Sequence, residues 1–315
     1  MQQRETTGLS ALRAMGRVAL WLLVVLIVSA SGLIAYQYLM VMVRPTYDPD
    51  TMPLAYETMG DKSKDTKLLL IHGLLGSKTY WERDMDEISA THQILALDLL
   101  GFGDSPKPNS DYSLEVQLQA IEKLVAQQEF NHGKIIVVGH SMGAIIAMAL
   151  VAKHPDWFEG AVLISLPVFR NEGEFSKLME QHSVFDQLAA GPLSKLVCMF
   201  DPILTSTAFR PDNIPKDIFE ELKKHTWQSY SNSLRKVVIG AEPFFIARSV
   251  NEKKILFIHG EKDTSAPIES TRKLSQSLKH TQFITLPDEG HQLFLTNAKM
   301  VWNEIDEFGS TLTRE

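Results

Sequence analysis

The strongest chemical signal in the sequence is Gly139-His140-Ser141-Met142-Gly143, which follows the apolar run Lys134–Val138 and precedes a stretch of helical period starting near Met142. A serine between two glycines at a strand-to-helix turn sits on a backbone bent so sharply that only minimal neighbours fit, and the bend lifts its hydroxyl clear of the sheet. That hydroxyl is a useful nucleophile only when a base takes its proton. Gly290-His291-Gln292, in a loop after the last apolar run, offers the imidazole. The imidazole needs a carboxylate on its other nitrogen. Asp263, in Gly260-Glu261-Lys262-Asp263 after the run Lys254–His259, is the expected partner, and Asp288, three residues before His291, is its rival.

Attack on a carbonyl would create an oxyanion, for which each well-placed N–H contributes about 2.7 to 4 kcal/mol. Met142, next after the serine, is one expected donor. Leu74, in the loop His72-Gly73-Leu74-Leu75-Gly76, is the other, although the same glycines suit a plain tight turn. The remaining histidines read as structural: His72 and His259 close buried strands, His154 closes a helix before Pro155, and His140 is expected to point away from the site.

The elements that must position these groups are legible as apolar runs at Lys67–His72, Gln93–Leu97, Lys134–Val138, Gly160–Ser165, Lys254–His259 and Gln282–Leu286. Short continuous runs of this kind suit strands buried on both faces. Helical-period stretches such as Leu114–Gln128 and Met142–Lys153 separate most of them. The alternation predicts the α/β class, with parallel strands and crossover helices on both faces. Residues 45–167 and 249–315 form the expected core. Between them, residues 168–248 carry helix-like repeats of Phe175, Leu178, Met179, Phe185, Leu188, Leu196, Met199 and Phe200. This interval reads as a helical cap, its apolar residues forming either the cap's own small core or a substrate wall.

Composition narrows the chemistry. The 315 residues are 44% hydrophobic and carry a net charge of −7, which suits a globular chain and gives no basic footprint for nucleic acid. A single cysteine, Cys198, excludes an intramolecular disulfide framework and any multi-cysteine metal cluster. No metal site and no cofactor are expected.

From Val18 to Val43 there are 26 residues without a charge. As a helix they would reach about 39 Å, more than the ~30 Å hydrocarbon core of a bilayer. The segment reads as a retained single-pass anchor, because the apolar stretch continues beyond Val28-Ser29-Ala30, where a secretory signal would be cut. A cleaved signal is the competing reading. Arg4, Arg13 and Arg17 precede the segment, whereas Arg44 is followed by Asp48 and Asp50. The positive-inside bias then leaves residues 1–17 in the cytoplasm and the large domain on the other side, in the periplasm if the source is bacterial.

Taken together, the His72-Gly73 loop, Asp98-Leu99-Leu100-Gly101-Phe102-Gly103-Asp104-Ser105, the turn around Ser141, Gly260 to Pro267, and Gly290-His291 resemble the α/β-hydrolase superfamily, in its usual order. The resemblance covers roughly residues 52–310. It implies a mostly parallel eight-stranded sheet, a cap after the sixth strand, and a cofactor-free Ser141, His291, Asp263 mechanism. Serine at 141 departs from haloalkane dehalogenases and epoxide hydrolases, which carry aspartate there. The oxyanion loop lacks the His-Gly-Gly-Gly run of one esterase group. Ser141-Met142-Gly143 is similar to monoacylglycerol-lipase-like esterases, but Ala144 replaces their second glycine. The expectation is a membrane-anchored serine hydrolase of apolar carboxylic esters. A carbon-carbon, thioester or amide hydrolase on the same residues, or a ligand-binding member of the fold, stands as the alternative.

Overall fold

The computed structural model describes residues 2–61, 63–182, 214–312 and positions 187, 188, 190, 191, 193, 195 and 197. Cys198 and, within the cap repeats, Phe185, Leu196, Met199 and Phe200 lie outside the described residues.

Seven strands form one sheet among the described residues: β1 (Tyr56–Gly60), β2 (Thr66–Ile71), β3 (Gln93–Leu97), β4 (Lys134–His140), β5 (Phe158–Ile164), β6 (Lys254–Gly260) and β7 (Thr281–Leu286). Their order is β1-β3-β2-β4-β5-β6-β7, and every pairing is parallel except β1 with β3. The expected eight strands are therefore seven, and the cap insertion follows the fifth strand rather than the sixth. The difference lies just upstream of β1. There residues 43–55 run as turns and extended loop with a single isolated bridge, Thr46 to Asn109, instead of a further edge strand.

Alternation along the strands divides the core into two layers. Leu69 and Ile71 of β2 face α3 (Leu114–Gln127) and α4 (Met142–Lys153), while Leu68 and Leu70 face α2 (Asp86–Thr91) and α10 (Leu293–Leu312). Side chains from Met142 to Val151 are all buried, so α4 is apolar on every face and runs through the interior. Its first residue follows Ser141 directly, which couples the position of the serine to the best-packed helix in the molecule.

Between β5 and β6 lie α5 (Glu172–Met179), α6 (Lys216–Leu222), α7 (Trp227–Ser233), a π-helical turn at Leu234–Ile239, and α8 (Pro243–Ser249). Thr226 and Ser229 cap α7 reciprocally. Within the same interval α8 packs on α4 and on α9 (Ile268–Gln276), with Ala247 in the sheet-facing core. At the N-terminus α1 runs from Gln2 to Met42, and within it Met15–Met42 is long and apolar enough to cross a bilayer.

Candidate active site

Ser141 occupies a backbone conformation (φ 53°, ψ −119°) that residues with a side chain rarely adopt. The strain is enforced by the crowding of the turn. A Cβ on Gly139 would press into the Gly143 carbonyl, and one on Gly143 into the Ile71 carbonyl of the neighbouring strand. With both positions reduced to glycine, β4 passes into α4 in a single turn and the Ser141 side chain is left in the wall of a cavity.

The structure brings the three candidate triad residues into one hydrogen-bonded chain. The Ser141 Oγ lies 2.9 Å from the His291 Nε2, and the His291 Nδ1 lies 2.8 Å from the Asp263 Oδ2. Asp263 accepts the backbone N–H groups of Ser265 (2.9 Å) and Ala266 (2.8 Å) on its other oxygen. Burial by itself would raise the pKa of this carboxyl. Hydrogen bonds from His259 and His291, the nearby His291 charge and the Ala266 N–H outweigh it and hold Asp263 well below the usual carboxylate range. A fixed anion is what orients an imidazole with its proton on Nδ1. Asp288 is elsewhere, exposed and paired with Lys262 at 2.8 Å.

Met142 opens α4, where first-turn N–H groups have no intrahelical acceptor, and Leu74 lines the cavity. The loop carrying Leu74 is strained at Leu75 (φ 64°) and closed by the Gly76 N–H donating to the Gly73 carbonyl at 3.0 Å. His72 braces it from below: its Nδ1–H donates to the Gly73 carbonyl (2.7 Å), and its Nε2 accepts the Leu99 N–H (2.9 Å).

His140, expected to point away, instead belongs to the site. Its Nε2–H donates to the His291 carbonyl at 2.9 Å, and its ring stacks on Tyr80 at 4.8 Å. Burial, with His291 close by, pushes its pKa down to about 3, so it stays a neutral donor. The Ser165 hydroxyl donates to the same carbonyl (3.3 Å), and the His259 Nε2 donates to the Ala266 carbonyl (2.7 Å) while lying 3.4 Å from Asp263. None of these positioning contacts was marked in the sequence, because each joins loops that only the folded sheet brings together. Such a signal as there was lay in a histidine at the unspecified position of an otherwise minimal turn.

The cavity beside Ser141 measures about 280 Å³, and its wall includes Leu74, Phe169, Phe175, Ile218, Tyr230 and Leu234. Of the apolar residues noted in the cap, Phe175 and Met179 line it, and Leu188 is 40% exposed. The arrangement sets a hydroxyl hydrogen-bonded to an imidazole beside an apolar chamber.

Known proteins share this architecture. The chain is 24% identical to the Arabidopsis thaliana protein named "Probable lysophospholipase BODYGUARD 1", over 73% of this chain and 56% of that one. It is 26% identical to Lipase 3 of Moraxella sp. (strain TA144), over 78% of each. The chain spans little more than half the length of several of the Arabidopsis relatives. The crystal structure of the esterase RhEst1 from Rhodococcus sp. ECU1013 superposes with a TM-score of 0.68 at 19% identity, over 84% of this chain and 96% of that one, a likeness of fold. Residues 67–298 match the family model described as the alpha/beta hydrolase fold, and the chain belongs to that family.

Proposed function

We propose that this protein is a carboxylic-ester hydrolase working through an acyl-enzyme, with Ser141 as nucleophile, His291 as general base and then acid, and Asp263 orienting the imidazole. The observation that carries this reading is the unbroken hydrogen-bonded chain from Ser141 through His291 to Asp263. As Ser141 attacks the ester carbonyl, His291 removes its proton, and the Leu74 and Met142 N–H groups receive the oxyanion. His291 then protonates the departing alcohol, and a water activated by the same imidazole releases the acid. The apolar wall favours an apolar acyl group, in keeping with the lipase and lysophospholipase names of the relatives. Residues 168–248 would act as the cap over a core of 45–167 and 249–315.

The uncharged segment Val18–Val43, most of it within the apolar helix Met15–Met42, is proposed as a retained single-pass anchor, with residues 1–17 cytoplasmic and the hydrolase domain on the opposite face. A fluorophosphonate probe applied to each side of sealed membranes tests chemistry and sidedness together. Labelling of the wild type from the non-cytoplasmic side, lost in Ser141→Ala, is expected. Equal labelling of Ser141→Ala would overturn the mechanism, and labelling from the cytoplasmic side alone would overturn the orientation.

A further inference from the structure

The apolar helix is longer than a bilayer requires. Met15–Met42 has 28 residues, about 42 Å of helix against a hydrocarbon core of about 30 Å. The surplus is equivalent to roughly eight residues at 1.5 Å each. Tilt could absorb it in an isolated helix, but here the C-terminal turns are already occupied. Side chains from Met15 to Ser29 are all exposed, whereas Ala30, Leu33, Ile34, Gln37 and Val41 are sheltered along one stripe at helical spacing.

What covers the stripe is the cap. Val41 is 2% exposed and packs with Trp227 of α7, alongside Ile34 and Met42. The Trp227 indole N–H donates to the Gln37 carbonyl at 3.2 Å, and its ring stacks on Tyr38 at 5.7 Å and 11°. Beyond the helix, Arg44 donates to the Lys107 carbonyl (2.8 Å), and the Asn109 N–H donates to the Pro45 carbonyl (3.0 Å).

Lipid and cap cannot both cover the same turns. A helix immersed as far as Val43 would drag α7 into hydrocarbon with Gln228, Ser229, Ser231, Asn232 and Ser233, at a cost of a few kcal/mol or more for each polar group not satisfied there. Val18–Leu33, by contrast, is 16 residues and about 24 Å, and the Arg17 guanidinium at its cytoplasmic end can reach back to the headgroups, so this stretch with the last turn before it comes close to the hydrocarbon thickness. We infer that the bilayer ends near Ile34, that Ile34–Met42 emerges as a stalk clasped by α7, and that the cap face around Trp227 rests on the lipid headgroups. This rests on the anchor reading above.

The residues at that level suit the placement. Tyr36, Tyr38 and Trp227 are the aromatic types of a membrane interface, and the Lys195 ammonium lies 5.6 Å from the Trp227 ring, where anionic headgroups would meet it. Three residues along α7 from Trp227, Tyr230 lines the cavity beside Ser141, and Leu234 lines it one turn further on. One helix therefore separates the reacting cavity from the lipid surface, so that an ester residing in the bilayer needs to travel little more than a helix diameter, about 10 Å, to reach it.

Single-cysteine labelling of the full-length protein in proteoliposomes tests this, in a Cys198→Ser background with a charged, membrane-impermeant maleimide. Tyr36→Cys and Leu39→Cys, both on the exposed face, are expected to label without detergent, within about tenfold of the rate of Glu159→Cys on the domain surface. Leu22→Cys and Leu26→Cys are expected to lose labelling until detergent is added. Protection of positions 36 and 39 equal to that of 22 and 26 would overturn the inference, since the helix would then be immersed to its end. A mature N-terminus beyond Ser29, read by mass spectrometry, would overturn it too. Neither readout needs turnover, so a failure here is distinct from a failure of the hydrolase reading.

Discussion

His140 performs its two tasks, donating to the His291 carbonyl and stacking on Tyr80, only while it is neutral. The folded protein refuses a proton that the unfolded chain accepts: the folded pKa is about 3, against an ordinary 6.5. The contribution is therefore complete above pH 6.5 and is lost progressively as the pH falls towards 3. His140→Phe should flatten urea-unfolding free energy against pH by about one proton across that window. The same variant should lower kcat by roughly tenfold through a loosened His291 loop. An unchanged slope would show that the titration belongs to other histidines, of which His72 and His92 are also pushed down by burial. At this scale Ser141, His291 and Asp263 are legible as candidates because their types and order are constrained by chemistry. His140, Ser165 and His259 are not, because a brace is defined by what it touches.

Two aspartates in the segment after β3 show how burial decides the worth of a charge. Asp98, its side chain wholly buried, accepts the Lys78 and Asp104 backbone N–H groups at 2.6 and 2.7 Å and the Lys78 ammonium at 3.1 Å. It ties the helical turn Lys78–Trp81 to the end of β3, beneath the candidate oxyanion loop. Asp104 pairs with Lys78 and with Lys224 beyond α6, and these bonds hold its pKa near 2, but its side chain is 54% exposed. Asp98→Ala should cost about 3 kcal/mol, since it leaves the Lys78 and Asp104 backbone N–H groups without their acceptor while Lys78 keeps only its exposed partner. Asp104→Ala should cost less than about 1 kcal/mol, since water screens the pair. Chemical denaturation of both variants measures the contrast, and equal losses would refute it. Strands β2 to β6 could be read in advance because burial on both faces writes continuous apolar runs, and β7, half-buried at the far edge, was legible from Phe283, Ile284 and Leu286. Strand β1, Tyr56-Glu57-Thr58-Met59-Gly60, could not, because an exposed edge strand needs only backbone pairing. The eighth strand implied by the family resemblance is absent among the described residues, where only the isolated bridge Thr46 to Asn109 lies upstream of β1.

For the molecule as a whole, the join between α1 and the hydrolase core matters more than either part alone. Only Val43 and Arg44 separate Met42 from Pro45, and Arg44 and Pro45 are both bonded to the Lys107–Asn109 loop. A glycine-serine insertion of about twelve residues after Arg44 would give the domain a loose coil of roughly 20 Å. Hydrolysis of esters embedded in the same bilayer should then fall several-fold, while turnover of a short soluble ester stays the same, as measured in proteoliposomes. Equal turnover of the embedded ester by both forms would show that the rigid join is incidental. The join could not be foreseen from hydropathy, which marks an apolar helix but not the face of it that protein covers.

With α1 retained in the bilayer as proposed, a tether without slack would turn the search for substrate into a two-dimensional one. An enzyme held this way meets what diffuses laterally past it in its own leaflet, so its rate should follow the surface density of substrate in that leaflet rather than the bulk concentration. Vesicles that share the same solution but not the same membrane would then be processed independently, each by the copies it carries.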